Sequence, residues 1–317
     1  MSKWLFFGEC MVELSGSEAP VWLESPNDMP KDLGNYKRAF AGDVANTAIY
    51  LKRLLGSKID LSFLSATGSD PISQDLRTFF DNEKINGQWL LEEPRRQLGL
   101  YLIHTDNKGE RTFSFWRSES AARHTLGLLD QGKLLDQRWD GFYFSGISIA
   151  MTLPELRPEL LALVTRLREQ GAEIVYDNNY RPALWPDNKT AQQEIEPFLP
   201  LINHGFLSNE DEQALWQNET ELQQRYPNAK SLVLKRGGDA ISVFAGNGHR
   251  QDFAVSTVEA TDTTAAGDSF NAGYLWGQMN ELAIPEAVEA GHQLATQVVQ
   301  KPGAIVDIDL TEFKNPE

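Results

Sequence analysis

A run of small and acidic residues at 261–268 has the composition of a site for anionic groups. It reads Thr-Asp-Thr-Thr-Ala-Ala-Gly-Asp and precedes apolar residues with helical spacing at 270–275. A helix that starts without bulky side chains leaves its first backbone N–H groups and its positive dipole end open to a phosphate. Asp268 would lie in the first turn, where its carboxylate can take a proton from an attacking hydroxyl. The run therefore predicts an anion hole with a general base, although an ordinary helix start capped by Asp262 or Asp268 fits the same residues.

A second candidate site begins with Gly42, which precedes a predicted helix that ends before Gly56. A glycine lets the backbone approach a ligand closely. Asp43 and Asn46 are three residues apart and would share one face of the first helical turns, where a carboxylate and an amide can bind sugar hydroxyls. Spacing alone favours equally a simple helix cap at Asp43 with Asn46 as a bystander.

Cationic and aromatic side chains accompany a predicted β-hairpin at 98–117. Two segments alternate with period two around the turn sequence Asp-Asn-Lys-Gly at 106–109. Tyr101 and Arg117 lie on these segments, and an arginine guanidinium suits a substrate carboxylate. A solvated hairpin face is the alternative interpretation.

Two further loops follow predicted strands directly. Arg181 lies in Asp-Asn-Asn-Tyr-Arg-Pro at 177–182, and Lys235 begins Lys-Arg-Gly-Gly-Asp-Ala at 235–240. Because ligands gather at the carboxyl ends of strands in open α/β sheets, Arg181 would face a crevice and the second loop would meet nucleotide phosphates. Polar surface turns fit these positions as well.

The elements that must position these residues alternate along the chain. The predicted strands are 4–7, 59–66, 141–149, 173–177, 205–208 and 231–235, and the predicted helices include 76–84, 156–170 and 190–201. Such alternation predicts an α/β fold with a mostly parallel sheet and helices on both faces. The segment 16–37 loses helical periodicity and contains three prolines, which favours a strand-and-loop excursion that forms a small sheet with the hairpin.

Composition narrows the class of protein. The chain has 317 residues, enough for one large α/β domain, with 41% hydrophobic residues. Its 29 basic and 45 acidic side chains give a net charge of −16, which opposes binding to nucleic acid or an anionic membrane. The single cysteine, Cys10, permits no intramolecular disulfide. We expect a cytoplasmic protein, because neither a signal-peptide core nor an apolar run of membrane-spanning length is present.

The stretch Asp262 to Leu275, Asp-Thr-Thr-Ala-Ala-Gly-Asp-Ser-Phe-Asn-Ala-Gly-Tyr-Leu, resembles the C-terminal signature of the ribokinase-like (PfkB) family of sugar kinases. The segment Ala-Gly-Asp-x-x-Asn-x-Ala at 41–48 resembles the family's N-terminal sugar-binding signature. That match is looser, because the family more often has glycine where this chain has Ala41. The resemblance implies that Asp268 is the catalytic base and that the backbone of Ala265, Ala266 and Gly267 helps to form the anion hole.

Within this family the chain is most similar to the branch that acts on 2-keto-3-deoxygluconate, a sugar acid. The segments 99–106, 109–117 and 177–182 point to that branch. The resemblance implies a group of sugar-binding residues: Gly42, Asp43, Asn46, Tyr101, Arg117, Arg181 and Asp262.

The resemblance also implies a fold, cofactors and partners. The fold would be a ribokinase-like three-layer sandwich, with residues 1–317 as one kinase domain and a β-sheet lid from about 16–37 and 97–117. ATP and Mg²⁺ would be used, with homo-oligomers formed through the lid. The nucleotide site would include Asn179, Lys235, Arg236, Gly237, Gly238, Ala265 and Gly267. Glu212, in Asn-x-x-Glu at 209–212, would be linked to the metal.

Two other functions fit the same motifs. Another sugar kinase of the family, such as a fructokinase or ribokinase, would not require a carboxylate on its substrate. A non-catalytic sugar sensor would not consume ATP, and the intact Asp268 with its anion hole argues against it. A panel of sugar acids with ATP consumption as the readout distinguishes the three.

Overall fold

The computed structural model describes residues 1–16, 36–105, 111–217, 222–238 and 240–313. The strands are β1 (Ser2–Phe7), β2 (Met11–Gly16), β3 (Tyr36–Ala41), β4 (Ile59–Thr67), β5 (Leu90–Glu92), β6 (Leu100–Thr105), β7 (Arg111–Trp116), β8 (Gly141–Ser145), β9 (Glu173–Asp177), β10 (His204–Ser208), β11 (Ser231–Arg236), β12 (Ala240–Ala245) and β13 (Arg250–Ala254). The helices are α1 (Asp43–Leu55), α2 (Pro71–Asn82), α3 (Thr125–Leu128), α4 (Gln131–Leu135), α5 (Gly146–Met151), α6 (Arg157–Glu169), α7 (Asn188–Ile195), α8 (Asn209–Trp216), α9 (Leu222–Arg225), α10 (Ala266–Met279) and α11 (Ile284–Val299).

Nine of these strands form a central sheet in the order β13-β12-β11-β10-β9-β8-β1-β4-β5. The strands from β5 to β11 pair in parallel, whereas β12 and β13 extend one edge with antiparallel pairs. The predicted α/β fold with a mostly parallel sheet is therefore confirmed. The antiparallel edge was not predicted, because β13 is only five residues long and its sequence, Arg-Gln-Asp-Phe-Ala, does not alternate polar and apolar residues.

Strand β1 shows why helices cover both faces of this sheet. Side chains alternate across a strand, and every second residue of β1 enters a different core. Trp4 and Phe6 belong to the core that includes residues of α1, α10 and α11, whereas Leu5 and Phe7 belong to the core that includes residues of α5 and α6. A strand that is apolar on both sides must be covered on both sides, as parallel sheets generally are.

Four strands form a separate small sheet in the order β3-β2-β6-β7. The predicted hairpin is confirmed, since β6 and β7 pair antiparallel with Leu100 opposite Trp116. Strand β2 was not predicted; it lies between β3 and β6 and ends at Gly16, where the predicted lid range begins. Residues 17–35 and 106–110, which belong to that range, lie outside the described residues.

Several predicted boundaries were wrong because of local side-chain caps. Helix α2 begins five residues before the predicted start, since the Asp70 carboxylate accepts N–H bonds from Ile72 and Ser73. The predicted strand 141–149 ends at Ser145, whose hydroxyl accepts the N–H of Ser148 and starts α5. Short polar side chains at these two positions thus turn the chain from extended into helical conformation.

Helices α10 and α11 pack closely because glycines line their contact. A Cβ atom on Gly273 would lie 2.6 Å from the carbonyl oxygen of Ala290, and one on Gly277 would lie 2.8 Å from Ala287 Cα. Both distances are shorter than real Cβ contacts, so only glycine fits. This packing fixes α10, whose N-terminus carries Asp268.

None of the helices in the described part of the chain combines the length and the apolar character that a membrane span requires.

Candidate active site

The N-termini of α1 and α10 meet at the candidate base. Asn46, on the first turn of α1, is buried and donates from Nδ2 to Asp268 Oδ2 at 2.8 Å. Thr47 donates its hydroxyl to the backbone oxygens of both Asp43 and Asp268, each at 3.2 Å. The structure therefore brings together the two motifs that the sequence placed more than 200 residues apart.

Helix α10 starts in the open form that its small residues predict. Ala265 adopts a left-handed conformation with φ of 62°, and no side chain caps the helix. Asp262 supports the approach to this turn, since its carboxylate accepts the N–H of Thr264 at 2.9 Å and of Gly303 at 2.7 Å. The structure thus places Asp262 against the backbone, while the amides of Gly267 and Asp268 begin the helix without intrahelical partners.

Lys235 supplies a positive charge at this helix start. A Cβ atom on Gly267 would lie 3.5 Å from Lys235 Nζ, so the ammonium group lies over the first turn of α10. The ammonium donates to Asn271 Oδ1 at 2.8 Å. A cation beside the open amides of a helix N-terminus is a suitable site for a phosphate.

Asn271 was missed by sequence reasoning and joins three elements. It is fully buried, and its Nδ2 donates to Asp177 Oδ2 at 2.7 Å and to the Tyr143 hydroxyl at 3.0 Å. Because both amide hydrogens are used, its oxygen must face Lys235. The only sequence signal was its spacing of three from Asp268, which puts both side chains on one face of α10.

The pKa of Asp268 is raised to about 8, from an ordinary carboxyl value of 3.8. Withdrawal from bulk water is the main cause, and the negative charge of Asp43 adds to it. The hydrogen bond from Asn46 opposes the shift, Asp177 adds to it and Lys235 opposes it. A carboxyl with a pKa near the working pH has the proton affinity that a general base requires.

The carboxylate of Asp43 accepts hydrogen bonds from two other side chains. Its Oδ2 accepts the Ser145 hydroxyl at 2.5 Å and Asn179 Nδ2 at 2.9 Å. Asn179 has φ of 23°, a conformation uncommon for a residue other than glycine. Asn179 was predicted to bind the nucleotide, and the structure places its amide against the candidate sugar-binding carboxylate.

The inner face of the small sheet lies opposite the helix starts. Tyr101 of this face packs in one cluster with Met11, Ala41 and Ala304, against which Ala265 also packs. The Tyr101 hydroxyl donates to the buried carboxylate of Glu13. Arg117 donates from Nη2 to Glu9 Oε2 at 2.5 Å. Gly42 abuts the same segment, since a Cβ there would lie 2.1 Å from the carbonyl oxygen of Glu9.

Arg181 follows β9 and contacts the start of α8. Its side chain is 53% exposed and pairs with Asp211 at 3.3 Å. Burial raises the pKa of Asp211 to about 6, although the Arg181 guanidinium opposes this. Asp211 was not identified from the sequence, because it is the middle one of three consecutive acidic residues and the Asn-x-x-Glu motif favoured its neighbour Glu212.

Two predicted site residues, Arg236 and Glu212, have side chains that are hydrogen-bonded to other residues of the protein. Arg236 donates to the Ser242 hydroxyl at 2.5 Å on the antiparallel edge, because successive strand residues face opposite sides. Glu212 is buried and receives hydrogen bonds from Arg225, Tyr226 and Asn178.

Gly237, with φ of 58°, makes the turn between β11 and β12, and Gly238 follows it. Across the described residues, no group of three or more His, Cys, Asp or Glu side chains is arranged to bind a metal ion.

Comparisons with known proteins give the context of this site. A profile described as "pfkB family carbohydrate kinase" matches residues 1–310. The chain is 35% identical over 317 aligned residues to the 2-dehydro-3-deoxygluconokinase of Haemophilus influenzae, covering 97% of this chain and 96% of that protein. The crystal structure of a 2-dehydro-3-deoxygluconokinase from Thermotoga maritima gives a TM-score of 0.85 at 20% identity and covers 98% of this chain and 97% of that one. A putative ribokinase II from E. coli, in complex with ATP and Mg²⁺, gives a TM-score of 0.82 at 20% identity and covers 99% and 98%.

The two neighbours of Asp268 should shift its pKa in opposite directions. Asp43→Asn removes a like charge and should lower the pKa, whereas Asn46→Ala removes a donor to the carboxylate and should raise it. Carbon-13 NMR titration of the side-chain carboxyl, assigned with Asp268→Asn, measures both midpoints. Asp75→Asn, at an exposed ion pair with Arg38, is the matched control. A midpoint that moves the same way in both variants would contradict the assigned causes.

Proposed function

The chain belongs to the pfkB family of carbohydrate kinases, and we propose that it transfers the γ-phosphoryl group of ATP to the 6-hydroxyl of 2-keto-3-deoxygluconate. That substrate is the compound also called 2-dehydro-3-deoxygluconate, which the name of the Haemophilus influenzae relative contains. The observation that carries the proposed chemistry is the position of Asp268 between two helix N-termini, beside Lys235.

Asp268 is the proposed general base. As the sugar oxygen forms its bond to phosphorus and the bond to the ADP oxygen breaks, the hydroxyl proton passes to the carboxylate. Phosphoryl transfer requires mainly positioning and stabilisation of the charge on the transferring group. The amides of Gly267 and Asp268 and the ammonium of Lys235 face the region where that charge would lie.

The proposed nucleotide site extends from the start of α10 to the turn after β11. Lys235 would bind phosphate oxygens, and Gly237 and Gly238 would let the backbone approach the nucleotide. Arg236 would contribute through the conformation of this turn, since its side chain contacts Ser242. Asn179 would act indirectly through Asp43.

The residues at the start of α8 fit a Mg²⁺ ion. This ion needs few protein oxygens, because it keeps several waters and binds the phosphates. Asn209 Oδ1 is buried and accepts no hydrogen bond from the described residues, and the Asp211 carboxylate lies two residues further on. We place the metal on these two residues, with Glu212 holding the helix through Arg225 and Tyr226. Bound Mg²⁺ would neutralise charge on the phosphates.

The sugar acid would lie between the inner face of the small sheet and the starts of α1 and α10. Asp43 and Asn46 would bind its hydroxyls, and Tyr101 would form the wall above them. Arg117 and Arg181 would attract the carboxylate in a protein whose net charge is −16. A kinase for neutral sugars would gain little from two arginines at this place.

The small sheet is the proposed lid and the proposed contact between copies of the chain. Phe113 and Phe115 of β7 lie on the same face of the small sheet as Tyr101, whereas Trp116 lies on the opposite face. All three are about half exposed, which is unusual for large apolar side chains. Among the described strands of this sheet β7 is an edge, and its free backbone groups favour association.

Replacing Asp268 by Asn should lower kcat by about 10² to 10⁴-fold, because the base is lost while the helix start remains. Binding of the sugar acid and ATP, measured by calorimetry, should stay close to the wild type. The wild-type kcat/KM should also rise with pH through about 8, the pKa of Asp268, and Asp268→Asn should lose this rise. The control is Asp81→Asn, an exposed site on α2. Turnover by Asp268→Asn near that of the control would contradict the role of a base.

Replacing Arg181 by Ala should reduce kcat/KM for 2-keto-3-deoxygluconate by about tenfold, because an exposed charge-assisted contact is lost. The value for fructose, which has no carboxylate, should not change. Arg250→Ala removes an arginine of similar exposure that pairs with Asp252 on the far edge of the sheet, and it should affect neither substrate. Equal losses on both sugars would assign Arg181 to the fold or the nucleotide, and a wild-type preference for fructose would favour a fructokinase.

Replacing Phe113 and Phe115 by Ser should convert a homo-oligomer into monomers, because the exposed apolar contact is removed. Light scattering coupled to size exclusion measures the mass of the wild type and of the double variant. Val258→Ser, at an exposed apolar residue outside the small sheet, is the control. A wild-type protein that is monomeric at micromolar concentration would refute association through the lid.

A further inference from the structure

The chain crosses between the two sheets at four places, and Glu9 contacts three of the other segments at this junction. The crossings are residues 8–10, 41–42, 97–99 and 117–120. The carbonyl oxygen of Glu9 lies 2.1 Å from the position of a Cβ on Gly42, and its Oε1 lies 2.6 Å from the position of a Cβ on Gly99. Its Oε2 accepts the hydrogen bond from Arg117. Only glycines at 42 and 99 leave room for this arrangement.

The pair between Glu9 and Arg117 is buried and incompletely satisfied. The two side chains are 2% and 12% exposed, and one hydrogen bond of 2.5 Å joins them. Glu9 Oε1 is buried and has no hydrogen-bond partner among the described residues. A guanidinium has five N–H donors, so Arg117 keeps donors for a second carboxylate.

Arg117 faces the same side of the small sheet as Tyr101. Tyr101 is paired with Phe115 across β6 and β7, and Arg117 follows Phe115 by two positions. Residues two apart on a strand share a face. Its Cβ also lies 3.3 Å from the position of a Cβ on Gly99, which precedes Tyr101 by two. A sugar against Tyr101 would therefore meet Arg117 with Glu9 immediately behind it.

The charge of Glu9 has two opposite effects on an anionic ligand. It allows Arg117 to be buried in the free protein, since an isolated buried charge is strongly unfavourable. It also cancels much of the attraction that Arg117 exerts on a carboxylate. A second negative charge just behind the arginine lowers the affinity for an anion by about one order of magnitude.

We propose that Glu9 is a positioning and specificity-determining residue: it holds Arg117 at the junction of the two sheets, and its negative charge limits the preference of the site for a carboxylated sugar. The proposal rests on the proposed substrate being a sugar acid. Glu9 acts through Arg117 and takes no part in the transfer step.

The test compares two ligands of nearly the same shape, one anionic and one neutral. Calorimetry measures the Kd of 2-keto-3-deoxygluconate and of its neutral carboxamide for the wild type, Glu9→Gln, Arg117→Ala and the double variant. Glutamine keeps an oxygen that accepts from Arg117 and removes only the charge. Glu83→Gln is the matched control. Glu83 forms a partly buried ion pair with Arg53, which lies in the last turn of α1, at the other end of the helix from Asp43.

The expected result is a change in the ratio of the two Kd values. Glu9→Gln should bind the acid about tenfold more tightly than the wild type does, while its Kd for the amide should stay the same. Arg117→Ala should weaken binding of the acid more than binding of the amide. Adding Glu9→Gln to Arg117→Ala should recover part of the affinity for the acid alone, because an unpaired buried carboxylate is removed. Glu83→Gln should leave the ratio unchanged.

Two outcomes overturn the proposal. Equal effects of Glu9→Gln on acid and amide would show a purely structural role, and a wild type that binds no sugar acid would remove its basis. Turnover of the acid with ATP is measured in parallel. If the acid binds with the expected ratios but is not phosphorylated, the proposed function fails while the role of Glu9 stands.

Discussion

The hydrogen bond between Asn46 and Asp268 is the contact on which the site depends, because it joins the starts of two helices from opposite ends of the chain. Helix α1 contributes Asp43 and the loop at Gly42, and α10 contributes the open amides and Asp268. The packing of Gly273 and Gly277 against α11 fixes α10 from behind. The central sheet contributes the ends of its strands to the gap between the two helix starts.

Charge balance is the second constraint. Burial raises the pKa of Asp177 as well as that of Asp268, and the negative charge of Asp43 adds to both shifts. Lys235 opposes both shifts. Asn271 links Lys235 to Asp177, since its side-chain oxygen accepts a hydrogen bond from Lys235 and its side-chain nitrogen donates one to Asp177. The site thus combines a carboxyl group of raised pKa with a cation beside an open helix start, in a protein whose net charge is −16.

The small sheet contributes polar side chains as well as apolar surface to the region of the site. Its inner face carries Tyr101 and Arg117, and each is held by a buried carboxylate near the start of β2, Glu13 and Glu9 respectively. Strand β2, which carries Glu13 and begins two residues after Glu9, was not predicted from the sequence. Their partners lie about 90 to 110 positions further along the chain, and no local pattern records such a pairing.

The sequence by itself determined the fold class, the family and the helix start at Ala265 to Asp268. These follow from hydrophobic periodicity and from small residues within a short window, which act locally. Only the tertiary structure decided which polar groups meet. Arg236 faces the sheet edge, Glu212 is enclosed by Arg225 and Tyr226, and Asn179 contacts Asp43. Side-chain direction and pairing depend on strand register and on packing between distant segments, so a pattern of residue types identifies candidates but not their partners.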